Sequence, residues 1–125
     1  MAGRFIPWLL ALLLTAAAFA QAPNATAQRE IEALFQHLAA SPCRFQRNGD
    51  WHDAREASAH LRRKYEYLRK RGLAPTAEAF VERAASRSSL SGKAYRVQCG
   101  RAPPQDSQAW FLAALKEIRA AQRKR

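Results

Sequence analysis

Cysteine, glycine and proline are all scarce in this chain, with two, five and six copies. That scarcity excludes a collagen, a low-complexity linker and a cysteine-dense miniprotein. Acids are scarce too: 10 face 21 lysines and arginines, for a formal charge of +11. No C-x-x-C pair and no G-x-S-x-G elbow occur, so a thioredoxin-like redox site and an α/β-hydrolase nucleophile are excluded. Two cysteines alone cannot make a structural zinc site, and His37, His52 and His60 show no ligand spacing with them. We therefore expect neither metal nor cofactor. At 125 residues the chain is too short for a Rossmann domain or a TIM barrel, and one domain is the expectation. The 48% of hydrophobic residues is too high for a disordered chain.

What is present begins with an address. Arg4 is the only charged side chain before Arg29. It precedes an apolar run from Phe5 to Leu14, and the stretch then turns small and ends in Ala18-Phe19-Ala20. A basic start, an apolar centre and an A-x-A end read as a secretory signal peptide cut after Ala20. A cut after Ala22 would put Pro23 next, which peptidases handle poorly. The alternative, an uncleaved anchor, needs about 20 apolar residues, and this run is short of that. No cysteine near the cut excludes a lipoprotein anchor, and no later stretch is apolar enough to span a bilayer, so no transmembrane anchor is expected after cleavage.

Export changes how Cys43 and Cys99 are read. In an oxidising compartment such as the periplasm such a pair usually becomes a bridge rather than a redox or nucleophilic thiol. They lie 56 positions apart, and closing that loop is worth roughly 4 kcal/mol on the chain-entropy model.

After a polar leader at 21–26, apolar periodicity sets out the elements. Ile31, Leu34, Phe35 and Leu38 form one helical stripe, with Thr26 as a candidate N-cap and Ser41-Pro42 as the stop. Cys43-Arg44-Phe45-Gln46-Arg47 alternates as a short strand, and Asn48-Gly49-Asp50 is turn chemistry leading to a helix. A long helix from about Trp51 to Arg71 carries Ala54, Ala57, Leu61, Tyr65 and Leu68 on one face. Asp50 or Asp53 caps it and Gly72 ends it. Thr76-Ala77-Glu78 opens another helix, with Phe80, Val81, Ala84 and Ala85 inward. A serine-rich loop follows, then a second strand in which Tyr95, Val97 and Cys99 alternate with Arg96 and Gln98. Beyond Pro103-Pro104, Asp106 or Ser107 caps a last helix with Phe111, Ala114, Leu115 and Ile118 buried. Cys43 begins one strand and Cys99 ends the other, so an antiparallel pair brings them together. The expected fold is mainly α with a small β element (α+β): about four helices packed on a two-stranded antiparallel ribbon, stapled by one disulfide.

Four polar groups are candidates for function, each with a plainer structural reading beside it. Arg47 and Asn48 sit at the turn, where Asn-Gly is ordinary chemistry. His60 and Lys64 are one helical turn apart on a flank shared with Asp53. A histidine between a carboxylate and an ammonium group can do acid/base work, whereas a boundary histidine bonded to the backbone would not. Ser86, Ser88, Ser89 and Ser91 precede Gly92; such serines usually satisfy loop amides. Finally Arg62, Arg63, Lys64, Arg69, Lys70 and Arg71 line the long helix, with Tyr65 and Tyr67 interleaved. In a cytosolic chain that pattern points to nucleic acid. An exported chain meets other anions, and no RRM, KH, zinc-finger or helix-turn-helix signature is present, so nucleic acid is not the expected physiological partner. The plainer reading is a solvated basic face.

Three blocks together carry a resemblance. The first is Phe45-Gln46-Arg47-Asn48-Gly49-Asp50 with Glu56-Ala57, His60-Leu61 and Lys64. The second runs from Thr76 to Val81 and from Ala85 to Val97. The third is Phe111-Leu112-x-x-Leu115. In this order, R-N-G, H-L-x-x-K and S-S-x-[ST]-G-K-x-Y resemble the YfeK-like family of small exported bacterial proteins, over roughly Cys43 to Ile118. Ala94 stands where a proline can occur in that family. The resemblance implies export, a periplasmic setting and a single small domain over 27–125; it supplies no activity. Its recurring polar residues fall on Arg47, Asn48, His60, Lys64, Ser88, Ser89, Ser91, Gly92 and Tyr95.

The function expected is therefore a periplasmic binding or accessory module of the cell envelope, not an enzyme. Its site lies at Arg47, Asn48, His60, Lys64, Ser88, Ser89, Ser91 and Tyr95, and its partner is an anionic envelope polymer or an envelope protein. One alternative is a small hydrolase or transferase with His60 as general base. The other is an electrostatic binder acting through the arginine-rich helix. N-terminal sequencing of the exported chain is expected to read Gln21 first; a retained Met1 would overturn the signal-peptide reading.

Overall fold

The protein is described here by a computed structural model, which covers Gly3 and residues 24–125. The signal-peptide segment lies outside the described residues, Gly3 apart. The order of elements is α1 (Ala25–Ala39), β1 (Arg44–Arg47), β2 (Asp50–His52), α2 (Ala54–Lys70), α3 (Ala77–Ala84), β3 (Arg96–Gln98), β4 (Gln105–Asp106) and α4 (Ser107–Arg123). The four helices and their apolar stripes are where the periodicity puts them. Ile31, Leu34, Phe35 and Leu38 of α1, Leu61 and Tyr65 of α2, Phe80 and Val81 of α3, and Phe111 and Leu115 of α4 fall in one buried cluster. Its centre is aromatic. Phe35 meets Tyr65 at 6.0 Å and Phe80 at 5.3 Å between ring centroids, and Tyr65 and Phe80 meet edge-on at 5.5 Å.

Charge completes the bundle around this core. Glu30 of α1 is buried and accepts Arg119 Nε at 2.7 Å; Arg119, on α4, also reaches Glu78 of α3. One guanidinium thus joins three helices, and its hydrogen bond holds the Glu30 carboxyl below the usual carboxylate range. Across the outside, Arg62 of α2 pairs with Glu32 of α1 at 2.6 Å and lies 4.2 Å over the Phe35 ring.

The β element is larger than the expected ribbon: four strands in the order β2-β1-β3-β4, all antiparallel. The ribbon of β1 and β3 is at its centre. The extra strands follow from turn chemistry. Asn48 and Gly49 have φ of 50° and 88°, as a two-residue type I′ hairpin requires. The chain therefore folds back as β2, with Arg47 paired to Asp50 and Phe45 to His52, instead of turning directly into a helix. The long helix starts at Ala54, later than expected, and Asp53 caps it by accepting the Glu56 amide at 2.8 Å. At the N-terminus the cap is Asn24 rather than Thr26, and α1 begins inside what reads as leader. At α4 Asp106 is the N-cap residue but makes no side-chain cap bond, because its carboxylate is turned to Arg96.

The register of β1 and β3 is Arg44↔Gln98, Phe45↔Val97 and Gln46↔Arg96. Continued outward, it sets Cys43 opposite Cys99 at one end and Arg47 opposite Tyr95 at the other. The first pair is a disulfide with its Cα atoms 4.3 Å apart. Such bonds persist in oxidising, extracytoplasmic compartments. Among the described residues, no helix is long and apolar enough to cross a membrane. The Cys43→Ser/Cys99→Ser double variant is expected to lose roughly 4 kcal/mol of unfolding free energy, read as a lower urea midpoint than wild type without reductant. An unchanged midpoint would show that the bridge does not constrain the chain.

Candidate functional site

Alternation along β1 and β3 decides which side chains reach the helices. Cys43 and Phe45 are buried while Arg44 is exposed; Tyr95 and Val97 are buried while Arg96 is exposed. Arg47 is two residues past Phe45 and shares its phase, so it arrives at the end of the sheet over α2. There it meets His60. Arg47 Nη1 lies 2.7 Å from His60 Nδ1, and His60 Nε2 lies 3.0 Å from Tyr95 Oη. Lys64, one turn along α2, donates from Nζ to Tyr95 Oη at 3.2 Å and to the Arg87 carbonyl at 3.0 Å.

A guanidinium only donates, so His60 accepts at Nδ1 and carries its proton at Nε2, which it donates to Tyr95. The tyrosine oxygen thus accepts from both His60 and Lys64. Its own proton has no protein acceptor among the described residues. The electrostatics agree. Burial, with the Arg47 and Lys64 charges adding, pulls the His60 imidazole down to about 4. Burial, with Arg47 and Arg87, brings Lys64 down to about 8. Burial raises the Tyr95 phenol above its ordinary value. At neutral pH the row is Arg⁺, neutral histidine, neutral tyrosine and a lysine that is still mostly protonated, and among the described residues no carboxylate bonds to any of them. Asp53, on the flank of His60 by helical spacing, is occupied as the cap of α2.

A pocket of about 300 Å³ opens beside this row. Phe45, Leu61, Phe111 and Ala57 are among its apolar lining residues; Arg47, His60, Tyr95, Arg63, His52 and Glu56 are among its polar ones. Glu56 is taken up by His52 Nδ1 at 2.9 Å, and His52 Nε2 is buried with no hydrogen-bond partner among the described residues.

The remaining expected residues do not line this pocket. Asn48 donates from Nδ2 to Ser88 Oγ at 3.3 Å and accepts from Ser91 Oγ at 2.6 Å. Ser88 Oγ also accepts the Leu90 and Ser91 amides. These three side chains bind the β1–β2 turn to the serine loop, next to the pocket rather than in it. Ser86 is buried and donates to the Val81 carbonyl at 2.6 Å. Ser89 is exposed and joins neither group. Among the described residues no serine oxygen bonds to His60, so a Ser–His nucleophile is not assembled, and no cluster of three or more His, Cys, Asp or Glu is placed to hold a metal. Sequence reasoning missed the apolar half of the site and His52, Glu56 and Arg63. The readable signal was the Asn-Gly hairpin, which turns Trp51-His52 into a strand beside β1.

The pH dependence follows from the shifts. Between pH 4 and 6.5 the unfolded His60 binds more protons than the folded one, so stability rises with pH and is lost as pH falls toward 4. Lys64 acts with the same sign between 8 and 10.5. Thermal melts of wild type and His60→Gln are expected to diverge below pH 6.5, with the variant showing the shallower acid loss. Parallel curves would mean that His60 is not held neutral.

The chain matches the model of the Family of unknown function (DUF5329) over residues 25–119. It is 43% identical over 88 residues to the uncharacterized protein YfeK of Salmonella typhimurium, covering 70% of this chain and 71% of that one. No solved structure matches. The matched segment runs from the first turn of α1 to Arg119 of α4 and takes in the whole pocket, and the chain belongs to the DUF5329 family, of which it is a YfeK homologue.

Proposed function

We propose that this is an exported, periplasmic binding module of the cell envelope that takes an anionic ligand at the pocket beside Arg47, His60 and Tyr95. One observation carries the reading. The polar wall gathers two guanidiniums, Arg47 and Arg63, with Lys64 behind Tyr95, against one carboxylate, Glu56, already bonded to His52. Elsewhere ion pairs take up Arg119, Arg62 and Arg69, with Glu30, Glu32 and Glu66. Among the described residues no carboxylate pairs with Arg47 or Arg63, and both line the pocket. An incoming anion finds the free donors of Arg47 and the proton of Tyr95, and charge-assisted bonds of this kind are about twice as strong as neutral ones.

The hydrolase reading has less support. A general base works best with a pKa near the operating pH, and His60 at about 4 is far below it. The electrostatic reading of the basic helix is weakened by the same ion pairs, because Arg62 and Arg69 are already neutralised.

The test is an NMR titration of the mature protein with acetate and with inorganic phosphate at low ionic strength. The His60 ring signals are expected to shift and saturate, and the His60 pKa to rise from about 4 as the anion stabilises its charged form. Arg47→Gln is expected to weaken binding at least tenfold, about the worth of one charge-assisted bond. Saturation unaffected by that change, or shifts confined to the outer face of α2, would overturn the proposal.

A further inference from the structure

The pocket also restricts what the anion is attached to. Its inner surface is the apolar core itself: Phe45, Leu61 and Phe111 are 7%, 4% and 1% exposed. Its volume of about 300 Å³ equals about ten water volumes. A bare inorganic anion would fill only a small part of that volume. A polymer strand would find no room for more than one group.

We propose that the ligand is an apolar monocarboxylate, an aliphatic or aromatic body of about ten non-hydrogen atoms ending in one carboxylate, seated with its body on Phe45, Leu61 and Phe111 and its carboxylate at Arg47 and Tyr95. This rests on the anion-binding reading above and names its ligand class. Two features select the head group. The planar fork of Arg47 matches a carboxylate bidentately. Glu56, in the same lining, repels a dianion more than a monoanion, which disfavours a phosphate monoester. The apolar body gains by burial, at about 0.8 kcal/mol per methylene fully removed from water, a fourfold change in affinity for each.

Calorimetric titration with butyrate, octanoate, octylammonium and octanol tests this. Octanoate is expected to bind at least tenfold more tightly than butyrate, with octylammonium and octanol far weaker than octanoate. Ala57→Leu puts extra side-chain volume into the lining and is expected to weaken octanoate binding at least tenfold. The wild-type chain-length series decides the matter even if that variant does not fold. Equal affinity for butyrate and octanoate overturns the apolar ligand class and leaves the anion site standing. Octylammonium or octanol binding as tightly as octanoate, or no binding of any carboxylate, overturns both.

Discussion

The pairing of β1 with β3 is the constraint on which the rest of the molecule depends. One register sets Cys43 against Cys99 at one end and Arg47 against Tyr95 at the other. The core enforces it, because Phe45 and Val97 must both face the helices. A slip of one residue would turn every side chain of the strand to the opposite face, exposing Phe45 and carrying Arg47 away from His60 in the same movement. The disulfide opposes such a slip covalently, at the end of the ribbon remote from the pocket. Packing and site geometry are therefore set by a single pairing.

Electrostatics separate the pocket from the remainder of the surface. Part of the arginine excess is met with specific partners. Arg119 spans three helices through Glu30 and Glu78, and Arg62 both pairs with Glu32 and covers Phe35. Among the described residues neither Arg47 nor Arg63, which line the pocket, has such a partner. His60 is placed between Arg47 and Lys64 and stays neutral because burial and both cations oppose its charge. An acid in that position would relieve the arrangement. On the proposed function a bound anion supplies that charge, and a local cost of this kind is one that functional sites retain.

Much of this was legible in the sequence. The helices were readable because each carries an unbroken stripe, as Ile31-Leu34-Phe35-Leu38 does, and apolar periodicity is the strongest local signal. The disulfide was readable because export and strand phase gave the same answer. The polar row was readable in part. Helical spacing joins His60 to Lys64, but joining Arg47 to them needs the strand register, which is a long-range property. The hairpin was misread because Asn-Gly serves turns of several kinds and a three-residue strand is too short to declare its period. With β2 unread, His52 was assigned to the long helix. The pocket floor went unseen for a related reason: Phe45, Leu61 and Phe111 were identified as core, and nothing local shows that a core residue also borders a cavity.

The polar residues expected at the site divide into two tiers, and the division explains the serines. Arg47, His60 and Tyr95 border the pocket. Asn48, Ser88 and Ser91 do not line it; they fasten the β1–β2 turn to the loop between α3 and β3. Lys64 ties that loop to α2 through the Arg87 carbonyl and to the row through Tyr95. The turn they hold begins at the residue after Arg47, and the loop they hold leads directly into Tyr95. Fixing both segments fixes the two groups that flank the proposed anion position. On the proposed function the serine-rich loop is a positioning frame: the Ser88 and Ser91 hydroxyls serve backbone amides and Asn48 beside the pocket.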